Sequence, residues 1–111
     1  MQINEQRQGA VTVLKPVGPL VQKDADQLKS RAMDVMRKSL GRFVIDASAI
    51  AYADSRGLEV LVELTEELGA GGQTLKISAA NETLREVLEL TELTPLFEYH
   101  EDVNSAVRSF L

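Results

Sequence analysis

Between Phe43 and Leu68 a short apolar run, Phe43-Val44-Ile45, is followed after a polar turn by a helical pattern. A continuous apolar run of that length, beside Gly41, fits a strand buried on both faces. Leu58, Leu61, Leu64, Thr65 and Leu68 then recur at helical spacing, while Glu59, Glu63, Glu66 and Glu67 fall on the opposite, acidic side. A buried strand feeding an amphipathic helix is the unit from which parallel sheets are built.

The rest of the chain repeats that alternation. Met1 to Gln8 and Ala10 to Pro16 read as two short strands, with Gly9 supplying the positive φ of a tight hairpin. Asp24 is expected to cap a helix marked by Ala25, Leu28, Ala32, Val35 and Ser39 and ended by Gly41. Thr74 to Ile77 alternates as a strand after Gly69, Gly71 and Gly72. Asn81 or Thr83 caps a third helix with Leu84, Val87, Leu88 and Thr91 on its stripe, Thr83 with Glu86 fitting a capping box. Pro95 to Tyr99 adds a short strand, and Asp102 caps a last helix carrying Val103, Ala106, Val107 and Phe110. Met33 and Met36 read as core or near-core filler. The order ββαβαβαβα predicts an α/β fold: a small mixed sheet that opens with an antiparallel hairpin and continues with largely parallel strands.

Composition narrows the function classes. At 111 residues the chain, 1–111, makes a single domain. With no cysteine there is no disulfide, thiol nucleophile or thiolate metal site. A net charge of −5 opposes nucleic-acid binding, which needs a basic patch. No apolar run suggests a membrane span, and the opening MQINEQRQG is too polar for a signal peptide, so a soluble, cytoplasmic protein is expected.

Asp54-Ser55-Arg56-Gly57 lies at the expected strand-to-helix turn, the edge that ligands and partners often use in α/β folds. Two readings of it stand side by side. Asp54 or Ser55 is an N-cap and nothing more. Or Ser55 is an exposed hydroxyl at the positive end of a helix, where an added phosphate is tolerated by the fold while Asp54 and the acidic face resent its charge. Catalysis finds no support. His100 is the single histidine, expected in a loop or strand end facing solvent. Gly-x-Ser-x-Gly is absent, and Gly69 to Gly72 follows a helix and lacks a Gly-Lys-Ser/Thr ending. The glutamates after Gly57 lack histidine partners for a metal. Asn81-Glu82-Thr83 matches a glycosylation sequon but reads as a helix cap. No enzyme, cofactor or metal is expected.

The stretch FVIDASAIAYADSRGLEVLVEL, Phe43 to Leu64, resembles the hallmark of the STAS domain as found in bacterial anti-sigma factor antagonists. The family pattern is a buried strand, Asp-x-Ser (here Asp46 and Ser48), a short apolar loop, Asp-Ser-Ser/Thr-Gly-Leu (here Asp54 to Leu58) and a helix. The opening hairpin, Gly18 and Leu20, and the closing LREVLELTELTPLFEYHEDVNSAV also fit. The resemblance implies about four helices packed mainly on one side of the sheet, and a binding module rather than an enzyme. It implies Ser55 as phosphoacceptor for an anti-sigma factor with serine kinase activity, a serine phosphatase as the reversing partner, and regulation of sigma-factor-dependent transcription. Asp54, Arg56, Gly57, Glu59 and Asp24 are the expected partner-binding residues, with Glu63 flanking them, on a monomer or weak dimer. Two positions depart from the pattern. Arg56 replaces the second hydroxyl and could pair with a phosphate on Ser55 or with Asp54. Val21 follows Gly18-Pro19-Leu20 where many antagonists carry an aspartate. STAS-like proteins also serve as constitutive interaction subunits of ABC transporters for lipids or of sensory assemblies, in which Ser55 would dock unmodified. For a small-molecule or nucleotide binder the residues offer no cradle.

Overall fold

The computed structural model describes all 111 residues. Strands β1 (Gln2–Gln8) and β2 (Val11–Val17) form an antiparallel hairpin around Gly9, whose φ of 64° suits the tight turn. Helix α1 (Gln22–Ser39) leads to β3 (Phe43–Asp46), α2 (Ser55–Gly69) to β4 (Lys76–Ser78), and α3 (Glu82–Leu90) to β5 (Glu98–His100). Helix α4 (Val103–Arg108) ends the chain. The sheet order is β1-β2-β3-β4-β5, parallel from β2 onward.

That sequential order explains the layering. Each crossover advances one strand in the same direction, and right-handed crossovers then place every connecting helix on the same face. Residues of α1, α2 and α3 accordingly share one core with Leu14, Phe43, Ile45, Leu75 and Ile77 of the sheet. Strand alternation sends Val11, Val13 and Val44 to the other face, where Ala106 of α4 closes a smaller core. Phe43, Val44 and Ile45 are thus buried on both sides of β3, as the continuous apolar run predicts. The expected fold, with helices mainly on one side, is borne out.

Local differences have physical reasons. The first helix begins at Gln22, so Asp24 is in its first turn rather than its cap, and Val21 at the cap position offers no side-chain acceptor. Asn81, not Thr83, caps α3, its side-chain oxygen accepting from the Leu84 N–H at 2.8 Å. In α2 the buried stripe includes Val60, while Leu58 is half-buried. Thr65 belongs to the core because its hydroxyl donates to the Leu96 carbonyl at 2.9 Å and accepts from the Leu75 N–H at 3.1 Å. Pro95 lies in a short 3-10 turn, Thr94–Leu96, which delays β5 to Glu98. His100 does not face solvent: its side chain is 17% exposed and its Nε2 lies 2.6 Å from Glu98.

Candidate functional site

Two loops meet at the carboxyl edge of the sheet, the β2–α1 turn around Leu20 and the β3–α2 loop that ends at Asp54. They are laced by backbone hydrogen bonds: Gly18 N–H to Ala49 at 3.0 Å, Leu20 N–H to Tyr52 at 2.8 Å, and Asp54 N–H to Leu20 at 3.2 Å. Leu20 and Ala53 form a parallel bridge, which extends the β2–β3 pairing outward to the site.

Asp54 holds the junction. One carboxylate oxygen accepts from the Gly57 N–H at 2.8 Å, capping α2. The other accepts from the Gln22 N–H at 3.1 Å, at the first residue of α1. Val21 cannot cap α1, so the side chain of Asp54 serves the amino ends of two helices at once. Gln22 has a φ of 46°, in the left-handed region, and the Asp54 bond holds its N–H in that conformation.

Gly57 is buried against the same turn. A Cβ added there would meet the Leu20 carbonyl oxygen at 2.1 Å and the Ala53 Cβ at 3.1 Å. Only hydrogen fits, so Gly57 shapes the site from beneath and offers no surface of its own.

The sequence left open whether Asp54 or Ser55 is the cap. The geometry assigns it to Asp54. Ser55, the first residue of α2, is exposed, and its hydroxyl takes no partner within the chain. It stands at the helix end where unpaired N–H groups and the macrodipole favour negative charge.

Arg56 pairs with neither Asp54 nor Ser55. Its guanidinium turns toward α1, contacts Asp26 at 2.6 Å, and also meets Glu59 and, at 2.7 Å, Glu63. Lys29 of α1 closes the group by contacting Glu63 at 2.6 Å. Hydrogen bonding to Asp26 above all keeps the Arg56 guanidinium protonated beyond its ordinary range. The Lys29 ammonium first, and then Arg56, hold the Glu63 carboxyl below the usual carboxylate range. Glu63 is therefore part of an inter-helix clamp, while Glu59 remains at the exposed rim.

The structure brings Asp54, Ser55, Arg56, Gly57 and Glu59 together on one edge. Asp24 lies in the first turn of α1, two residues beyond Gln22, and its carboxylate meets the Met1 amino group at 3.2 Å. Sequence reasoning missed Asp26 and Lys29; their three-residue spacing on a helix surface gave no sign of which helix they would face. It also missed that Asn81 ties the far side of the loop, its amide donating to the Ile50 and Ala51 carbonyls at 3.0 and 3.2 Å. Tyr52, half-exposed beside Leu20, is a further apolar feature of this edge.

Solved structures share this architecture. The Thermotoga maritima protein TM1081 superposes with a TM-score of 0.87 at 21% identity, over 96% of this chain and 92% of its own. An anti-sigma factor antagonist from Mycobacterium paratuberculosis gives 0.83 at 24% identity, over 97% and 92%. The anti-sigma factor antagonist SpoIIAA in its unphosphorylated form gives 0.77 at 15% identity, over 98% and 96%. The Bacillus cell fate determinant SpoIIAA in its phosphorylated form gives 0.71 at 15%, over 97% and 99%. At such identities the likeness establishes the fold. The family model for the STAS domain matches residues 2–106, and the chain belongs to the STAS domain family.

Proposed function

We propose that this chain is an anti-sigma factor antagonist: a binding module that docks an anti-sigma factor with serine kinase activity and is released when that kinase phosphorylates Ser55. A serine phosphatase restores the docking form, and the switch controls sigma-factor-dependent transcription. One observation carries the reading. Asp54 does all the capping at the site, so the Ser55 hydroxyl is exposed and free of structural duty. A phosphate there adds a charge of roughly −1.5 to −2 beside Asp54, at the edge where the Asp26, Glu59 and Glu63 carboxylates gather around Arg56. Arg56 is already matched by those carboxylates, so the added charge changes the docking surface more than the fold. In this reading Asp54 and Glu59 flank the hydroxyl as docking residues, Asp24 in the first turn of α1 extends the surface, and Arg56 and Gly57 shape their setting. SpoIIAA, an antagonist with the same fold and both phosphorylated and unphosphorylated forms, supports the reading.

The test is calorimetric titration of the purified anti-sigma factor kinase from the same organism with two variants. Ser55→Ala binds and is not released by ATP. Ser55→Asp binds at least about tenfold more weakly. Equal affinities would remove Ser55 as the switch.

A further inference from the structure

Strand β5 is an edge of the sheet, with no neighbour beyond it. The Glu98 N–H donates inward to the Leu75 carbonyl at 2.9 Å, and the His100 carbonyl accepts inward from the Ala79 N–H at 2.9 Å. In a parallel ladder alternate residues serve the same neighbour, so Tyr99, between them, presents its N–H and C=O outward. Beside that edge runs a cleft of about 580 Å³ between α3 and β5, lined by Glu82, Arg85, Glu86, Glu89, Thr94 and Tyr99. It adjoins a second recess of about 320 Å³ whose walls include Ile77, Ala79 and Ala80, with Arg85 and Tyr99 shared. Tyr99 is rigidly set: its hydroxyl donates to the Thr94 carbonyl at 3.0 Å and its ring packs edge-on against Phe97.

We propose that the α3–β5 edge is a second docking surface, which takes an extended segment of a partner protein as a sixth strand. Main-chain bonds to Tyr99 supply register, and side chains on one face of the added strand enter the two recesses. The recesses define that face. A basic side chain meets the Glu82, Glu86 and Glu89 wall. An apolar side chain two residues away, about 7 Å along the strand, meets Ala79, Ala80 and Tyr99. On the opposite face of β5 the Glu98 carboxylate is already matched by Lys76 at 2.5 Å and His100 at 2.6 Å, so it makes no comparable demand.

Charge selects a foreign strand over a second copy of this chain. Two copies paired through β5 would bring together two cleft walls that each carry three glutamates against the single cation Arg85, a like-charged pairing. The other edge, β1, is polar and largely exposed along its length, and its Glu5 is already paired with Arg31 of α1 at 3.1 Å.

The test titrates the isotope-labelled full chain with two capped seven-residue peptides of alternating threonine and valine, one with a central lysine and one with a central glutamate. The expected result is a saturable NMR shift centred on the Tyr99 amide and on Arg85 to Glu89, with the Tyr99 N–H newly protected from exchange. The glutamate peptide binds at least roughly tenfold more weakly. In the double variant Glu86→Lys and Glu89→Lys, at two exposed positions whose loss leaves the core intact, the preference reverses. No saturation by the lysine peptide to roughly 1 mM, shifts centred on β1 or the Ser55 loop, or the absence of charge preference would overturn the proposal. So would a concentration-dependent Tyr99 shift without peptide, which would make a second copy the occupant.

Discussion

Asp54 gives two helix ends one acceptor, and its removal strands two N–H groups at once. Asp54→Ala should therefore cost about 1–2 kcal/mol in chemical denaturation, and Asp54→Asn, which keeps an acceptor, clearly less. Gly57→Ala should cost about 1–3 kcal/mol, because its Cβ drives into the Leu20 carbonyl. A full-strength fold in Gly57→Ala would mean that the two loops are not packed as described. Ser55→Ala, by contrast, should leave stability within about 0.5 kcal/mol of the native chain, since the hydroxyl bonds to nothing. The sequence showed that this tetrapeptide was a helix start and a candidate site. It could not show that one carboxylate caps both α1 and α2, because Gln22 and Asp54 lie 32 residues apart and nothing in either local pattern predicts the bond.

At the scale of elements, helix ends were legible where the cap is a local residue and obscure where the partner is distant. Asn81 and Asp102 behave as their spacing predicts. Asp24 does not, because α1 starts three residues earlier than an Asp24 cap would allow, on an acceptor borrowed from another loop. The end of α1 shows a related effect. Leu40, ahead of Gly41, is the C-cap in the left-handed conformation with a φ of 56°, and the residue is 77% exposed. Leu40→Gly relieves that conformation without losing core, and should raise stability by about 1 kcal/mol. The inter-helix clamp of Asp26, Lys29, Arg56 and Glu63 was illegible for the reason that made the sheet legible. Apolar periodicity marks which face turns inward, but surface charges choose partners only after the helices have docked.

Across the whole molecule, Asp34, Glu63, Glu98 and Asp102 all have carboxyl groups held below their ordinary values. The causes are Lys38 for Asp34, Lys29 for Glu63, Lys76 for Glu98, and the Ser105 backbone N–H for Asp102. A carboxylate favoured in the folded state contributes stability that is present above its unfolded pKa and is lost as pH falls through the lower folded value. Stability should thus be level near neutrality and fall below about pH 4. Glu98→Gln should flatten that acid limb in a series of thermal melts. The fold itself was readable because strands and helices alternate in chain order with short connections, a pattern that fixes sheet order and helix side together. Function at this scale turns on whether the exposed hydroxyl at the junction is ever modified. The most direct measurement is intact-mass spectrometry of the protein from its native cells, in growth and in stress, with peptide mapping across Asp54 to Leu68. The expected result is a fraction carrying one added phosphate on Ser55, changing with conditions. A single unmodified mass under every condition would contradict the switch and leave a docking module that binds its partner without covalent control.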